Sequence, residues 1–236
     1  MSTPVAVDLF KTRIVPPDEV TLAQLLRLRR SKKWTNDTLH ELDRMQAFTF
    51  AQIPERYWEL STSYIQDRSI VTKLNKYGRN FKQFIHDDHL GLMFHGEPGR
   101  GKSFLAANIA IRIIEAGFSV WVYNLQAFKD NYTGRHTDEE EERFDALLEK
   151  ADVMVFDNFD VHGSIKERDL LYNRFYNVLR RRQGIGSIIV THTSRNPQGE
   201  FPDHVHSLLK EMTYPIHVQG PDLRDGSTKQ IFDSAP

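Results

Sequence analysis

The eight residues "GEPGRGKS" (96–103) constrain the fold of this 236-residue chain more than any other feature. They satisfy G-x-x-x-x-G-K-[ST] at every fixed position. They also stand between an apolar run, "LGLMF" (90–94), and "SFLAANIAIRIIEAG" (103–117), whose apolar residues recur at helical spacing and stop at Gly117. A loop of this kind needs that strand-to-helix context. Its glycines let the backbone bend so that N–H groups cradle phosphates, Lys102 brings positive charge to the β and γ phosphates, and Ser103 offers a hydroxyl to magnesium. ATP or GTP binding is the expected chemistry. The expected nucleotide-binding residues are Gly96, Glu97, Pro98, Gly99, Arg100, Gly101, Lys102, Ser103 and Phe104.

Short apolar runs alternate with amphipathic stretches from about Leu90 onward, in the order of a parallel sheet wrapped by helices. After "LGLMF" the strand candidates are "SVWVY" (119–123), "VMVFD" (153–157), "SIIVT" (187–191) and "PIHVQ" (215–219). The expected fold is therefore an α/β P-loop NTPase with a five-stranded parallel sheet and helices on both faces. Only seventeen residues follow Gln219, so no C-terminal helical lid is expected. Residues 1–52 read as a short helical arm, with "EVTLAQLLRLRR" (19–30) and "NDTLHELDRMQAF" (36–48) as its helices, and 53–236 as the ATPase domain. "DEEEERFDALLEK" (138–150) begins with acids that suit a helix N-terminus.

A net charge of -1 and a pI near 6.8 mean that no global field draws the protein to nucleic acid or an anionic membrane, so such binding must come from local patches. No cysteine is present, no basic-then-apolar leader opens the sequence, and no apolar run approaches the roughly 20 residues that span a bilayer. A soluble cytoplasmic protein without membrane partners is expected.

Asp157 closes the apolar run "VMVF" about fifty residues after the loop, where a carboxylate holds the nucleotide's magnesium directly or through water. Asn158 follows it. An amide orients a water but cannot take its proton, and losing a general base costs about 10²- to 10⁴-fold, so slow turnover is expected. "RLRRSKKW" (27–34) fits either a grip on nucleic-acid phosphates with Trp34 stacked on a base, or a solvated helix face with Trp34 packed on the core or on a partner. "VLRRRQG" (178–184) is equally open. "HDDH" (86–89) and the pair His204 and His206 lack a third and fourth ligand at sensible spacing and are expected at the surface.

Taken together, these segments resemble the DnaC/DnaI/IstB-like lidless AAA+ ATPases, a family of helicase loaders and transposition helpers. The resemblance covers roughly residues 53–224. It rests on "IPERYW", the P-loop, "SVWVYNLQAFKDNY" leading to "LLEKADVMVFDNFD", "ERDLLYNRFYNVLRRR", "SIIVTHTS" and the closing "VQGPDLR". It implies an AAA+ sheet, ATP/ADP with magnesium, contact with single-stranded DNA, assembly with copies of itself, and an arm that seizes a hexameric replicative helicase. Within it, Lys102, Asp157, Asn158 and Thr193 are the catalytic candidates, Ser103 and Asp157 the magnesium ligands, and Arg224 the closing arginine near the γ-phosphate. Three positions depart from the family pattern: Asn158 replaces a glutamate, Thr193 an asparagine, and Leu208 an arginine that would reach a neighbour's nucleotide, with only Lys210 nearby. Each departure weakens hydrolysis. A transposition helper is the alternative within the family. From other classes come a small-molecule kinase, for which "RRRQG" is the only candidate lid, and a nucleotide-gated binding module that never hydrolyses.

Overall fold

The computed structural model describes residues 44–58, 65, 67–130, 138–194 and 199–223. The expected helix 19–30, most of 36–48, the basic cluster 27–34 and Arg224 lie outside them. α1 spans Arg68–Arg79, with Asp67 accepting from Ser69 N at its start. Then follow β1 (Gly91–His95), α2 (Lys102–Glu115), β2 (Val120–Asn124), α3 (Leu125–Asp130), α4 (Asp138–Lys150), β3 (Val153–Asp157), α5 (Ile165–Arg182), β4 (Ser187–His192), α6 (Asp203–Met212) and β5 (Thr213–His217). All strand pairs are parallel and the order is β2-β3-β4-β1-β5. β4 inserts between β3 and β1, so the sheet changes winding direction beside β1, the place where open α/β sheets bind ligands.

β3 coincides with the run read from sequence, β1 and β2 begin one residue later than expected, and β4 runs one residue further, to His192. β5 begins at Thr213 rather than Pro215, because α6 hands over directly to it and Thr213 pairs with Gly91. Pro215 is tolerated there because β5 is an edge strand.

Strand residues alternate between two cores. Leu92, Phe94, Val153 and Val155 pack under α1 and α2, while Met93, Met154, Phe156 and Val190 pack under α4, α5 and α6. The first core also takes in part of the sequence counted with the arm. Residues 44–50 are helical, Phe48 and Ala51 are buried, Val122 N donates to Ala51 O at 2.9 Å, and Arg44 pairs with Glu115 at 2.7 Å.

The tract "RRRQG" is no lid. Arg182 is fully buried and donates to the carbonyls of Leu148, Ala151, Asp152 and Ser187, while Arg181 pairs with Asp145 and Glu149. Burial pulls the Arg182 guanidinium down to about 10. Its partners lie where β3 and β4 begin, a strand length from the P-loop at the far end of β1. Among the described residues, no helix is long and apolar enough to cross a membrane.

Candidate nucleotide-binding site

β1 runs straight into the loop 96–103. Gly96 holds φ at 140°, and a Cβ there would come within 2.4 Å of Val218 O. Gly99 holds φ at 78°, and a Cβ there would lie 2.0 Å from the Asp222 carboxylate. These glycines therefore permit both the bend and the approach of the segment leaving β5, whose Val218 N donates to His95 O at 2.7 Å and whose Leu223 N donates to Gly99 O at 3.0 Å. Arg100 and Glu97 close the loop as an ion pair at 2.6 Å, and Lys102 Nζ donates across it to Glu97 O at 2.6 Å. Lys102 is only 6% exposed, so its charge is held at the loop rather than in solvent. Among the described residues no side chain caps α2 at Gly101, which leaves its positive N-terminal end for an anion. Beside the cradle, Ile65, Ile70, Phe104, Leu105, Val218 and Leu223 line an apolar cleft suited to a flat base.

Asp157 ends β3 at the same edge. The register Phe156↔Val190 sets it beside Thr191, whose hydroxyl donates to Asp157 Oδ1 at 2.7 Å and accepts from Asn158 N at 2.6 Å. Asn158 itself is exposed, with φ at 57°, a left-handed conformation that asparagine adopts more readily than most residues. Thr193 does not reach Asp157. Its N–H and hydroxyl both donate to Asp160 Oδ1, at 2.8 and 2.6 Å. Ser194 N donates to His192 Nδ1 at 3.0 Å, which puts the imidazole proton on Nε2, 3.5 Å from the same Asp160 oxygen. Asp160 Oδ2 is buried without a hydrogen-bond partner among the described residues.

Thr191, Asp160 and His192 are not singled out from sequence, although "D-N-F-D" at the end of one strand and "T-H-T" at the end of its neighbour signal them once the two strands are paired. Leu208 faces the core of α6 at 7% exposure and cannot extend to another chain, while Lys210 on the same helix is exposed.

Burial holds the His192 imidazole below its ordinary value of about 6.5, with Asp160 opposing. A histidine depressed on folding binds its proton first in the unfolded chain. Stability linked to it is therefore complete above about pH 6.5 and declines as pH falls below that. The melting temperature should drop as pH falls below about 6.5, and His192→Gln should flatten the profile. An unchanged slope in the variant would assign the acid sensitivity elsewhere.

The donor set fits a nucleotide's phosphates with magnesium: a backbone cradle that a Cβ would fill, a held lysine, a helix N-terminus, and the hard oxygen donors Ser103 and Asp157. Magnesium, when bound, would neutralise charge on the phosphate oxygens. Lys102 would pair with those oxygens, Thr191 holds the Asp157 carboxylate in orientation, and the amide of Asn158 could orient a water without deprotonating it.

The family model described as "ATPase family associated with various cellular activities (AAA)" matches residues 92–215. No curated protein matches the chain. The solved structure of DnaI shares 16% identity at a TM-score of 0.56, covering 73% of this chain and 94% of that one. That of the DnaC helicase loader shares 19% at 0.53, covering 70% of this chain and 100% of that one. A putative primosome component from Streptococcus pyogenes serotype M3 shares 17% at 0.55, covering 74% and 93%. At these identities the likeness is one of fold.

Proposed function

This chain belongs to the AAA family of ATPases, and we propose that within it the protein is a helicase loader, delivering a hexameric replicative helicase to single-stranded DNA under control of bound ATP. The observation that carries the nucleotide part is that the P-loop and the Thr191–Asp157 pair both stand at the carboxyl ends of the parallel strands β1, β3 and β4. The loading part draws support from the fold shared with DnaI and the DnaC helicase loader over 94% and 100% of their described chains. Nucleotide state acts here more as a switch than as a motor. Asn158 offers no base, Leu208 offers no arginine to a neighbour, and Thr193 is engaged with Asp160. The direct test is capture: mixed with its host's hexameric replicative helicase and ATP, the chain should co-elute with it, and separate elution at micromolar concentrations would refute the reading. A kinase finds no support in the fold, because the arginines it would need as a lid are committed at the other end of the sheet.

The switch reading makes its own prediction. Asn158→Glu should raise single-turnover hydrolysis of labelled ATP by about tenfold or less, well short of the roughly 10²- to 10⁴-fold a full general base supplies. Two features limit the gain: glutamate costs roughly 1–2 kcal/mol in the left-handed backbone of residue 158, and residues that act as a unit do not add. A glutamate variant slower than wild type would show instead that the Asn158 amide positions the water.

A further inference from the structure

A surplus of positive charge outside the nucleotide site lies on α1 and the turn that follows it. Between residues 68 and 86 the chain carries Arg68, Lys73, Lys76, Arg79 and Lys82 and no acid, in a protein whose net charge is -1. The division of the helix is clean. Ile70, Leu74, Tyr77 and, beyond its end, Phe81 are buried, and all five cations are exposed. Lys73, Lys76 and Arg79 repeat every third residue of α1, a rise of about 9 Å along the helix, and Lys82 follows just beyond its end. Among the described residues none of these four is paired with a carboxylate. Of the flanking acids, Asp67 is turned to the helix start, where it accepts from Ser69 N at 2.8 Å, and Asp87 and Asp88 follow five and six residues after Lys82. Like charges three residues apart on a helix repel, so the row does not serve stability.

The surroundings extend the row rather than neutralise it. Arg112 of α2 reaches it through Asn75 at 3.4 Å. Tyr214, on the edge strand β5, is 47% exposed, and Lys73 Nζ lies 5.8 Å from its ring centroid.

We propose that the outer face of α1, with Tyr214 at its side, is a binding surface for single-stranded nucleic acid. Lys73, Lys76 and Arg79 meet successive phosphates, and the Tyr214 ring stacks on an unpaired base. With their long side chains the three cations reach two to three phosphates of an extended strand, and the exposed ring beside them offers a face on which an unpaired base can stack. This inference rests on the reading of the chain as a DNA-handling ATPase and adds to it where the strand lies.

The test uses the full chain, a fluorescent oligo-deoxythymidine and anisotropy across a salt series. The triple variant Lys73→Gln, Lys76→Gln, Arg79→Gln should lose at least about tenfold in affinity. It should also flatten the slope of log K against log salt by about 2, since each neutralised phosphate contributes about 0.7 on a single strand. Tyr214→Ala should weaken binding without changing the slope. ATP affinity should be unchanged in both, which shows the fold intact. If wild type binds the oligonucleotide and the triple variant matches it in affinity and slope, the location is wrong while the loader reading stands. If wild type binds no oligonucleotide with or without ATP, the DNA part of the loader reading falls and this surface with it. A preference for duplex over single strand also overturns the proposal.

Discussion

Lys102→Ala is expected to lower ATP affinity by about a hundredfold while leaving the fold intact. The ammonium is fixed at the loop by its bond to Glu97 O and is nearly withdrawn from solvent. Two charge-assisted hydrogen bonds to phosphate are together worth about 3 kcal/mol, which is roughly a factor of a hundred. The substitution removes no large apolar side chain, and the two cores on either side of the sheet do not depend on it. A fluorescent ATP analogue measures the affinity and thermal melting checks the fold. Unchanged binding would show that the 96–103 loop is not where nucleotide sits.

Removing residues 1–43 should abolish helicase capture, a loss beyond about a hundredfold, and spare ATP binding. Leu22, Leu25 and Leu26 fall at i, i+3 and i+4, one apolar stripe on a helix too short to be stable alone, and with Trp34 they form the expected docking element. The cut must fall before residue 44. From there the chain is part of the sheet domain, with Phe48 packed against Trp58 and Ala51 bonded to the edge of β2. A truncated protein that keeps ATP and still captures helicase would place the docking surface on the AAA domain. One that fails to fold would make the arm part of the core.

Local pattern made much of this legible before any coordinates. The P-loop signature and the run "VMVFD" each report their own strand, and β3 ends at Asp157 as read. What pattern does not report is which residues meet across strands. Thr193 is a catalytic candidate by its place after the fourth strand, and the β3·β4 register brings Thr191 to Asp157 and leaves Thr193 to Asp160. The basic tract 180–182 stays open in sequence between a nucleic-acid grip, a solvated face and a lid, because nothing local reveals that Arg182 gathers four backbone carbonyls at the start of β3 and β4. The apolar cleft beside the loop joins Ile65, Phe104 and Leu223, residues that are distant in sequence. The boundary at residue 52 followed the Ile-Pro step, whereas burial continues back to Phe48.

The central claim is that ATP on this protein gates delivery of a helicase to single-stranded DNA, and closed-circular single-stranded DNA tests it most directly. A closed hexameric ring cannot thread onto a circle without being opened, so helicase recovered on the circle after gel filtration reports loading rather than passive sliding. With this protein and ATP the helicase should be recovered on the circle, and it should be absent when the protein or nucleotide is left out or Lys102→Ala is used. Equal recovery without the protein, or no recovery with it and ATP, would contradict the account.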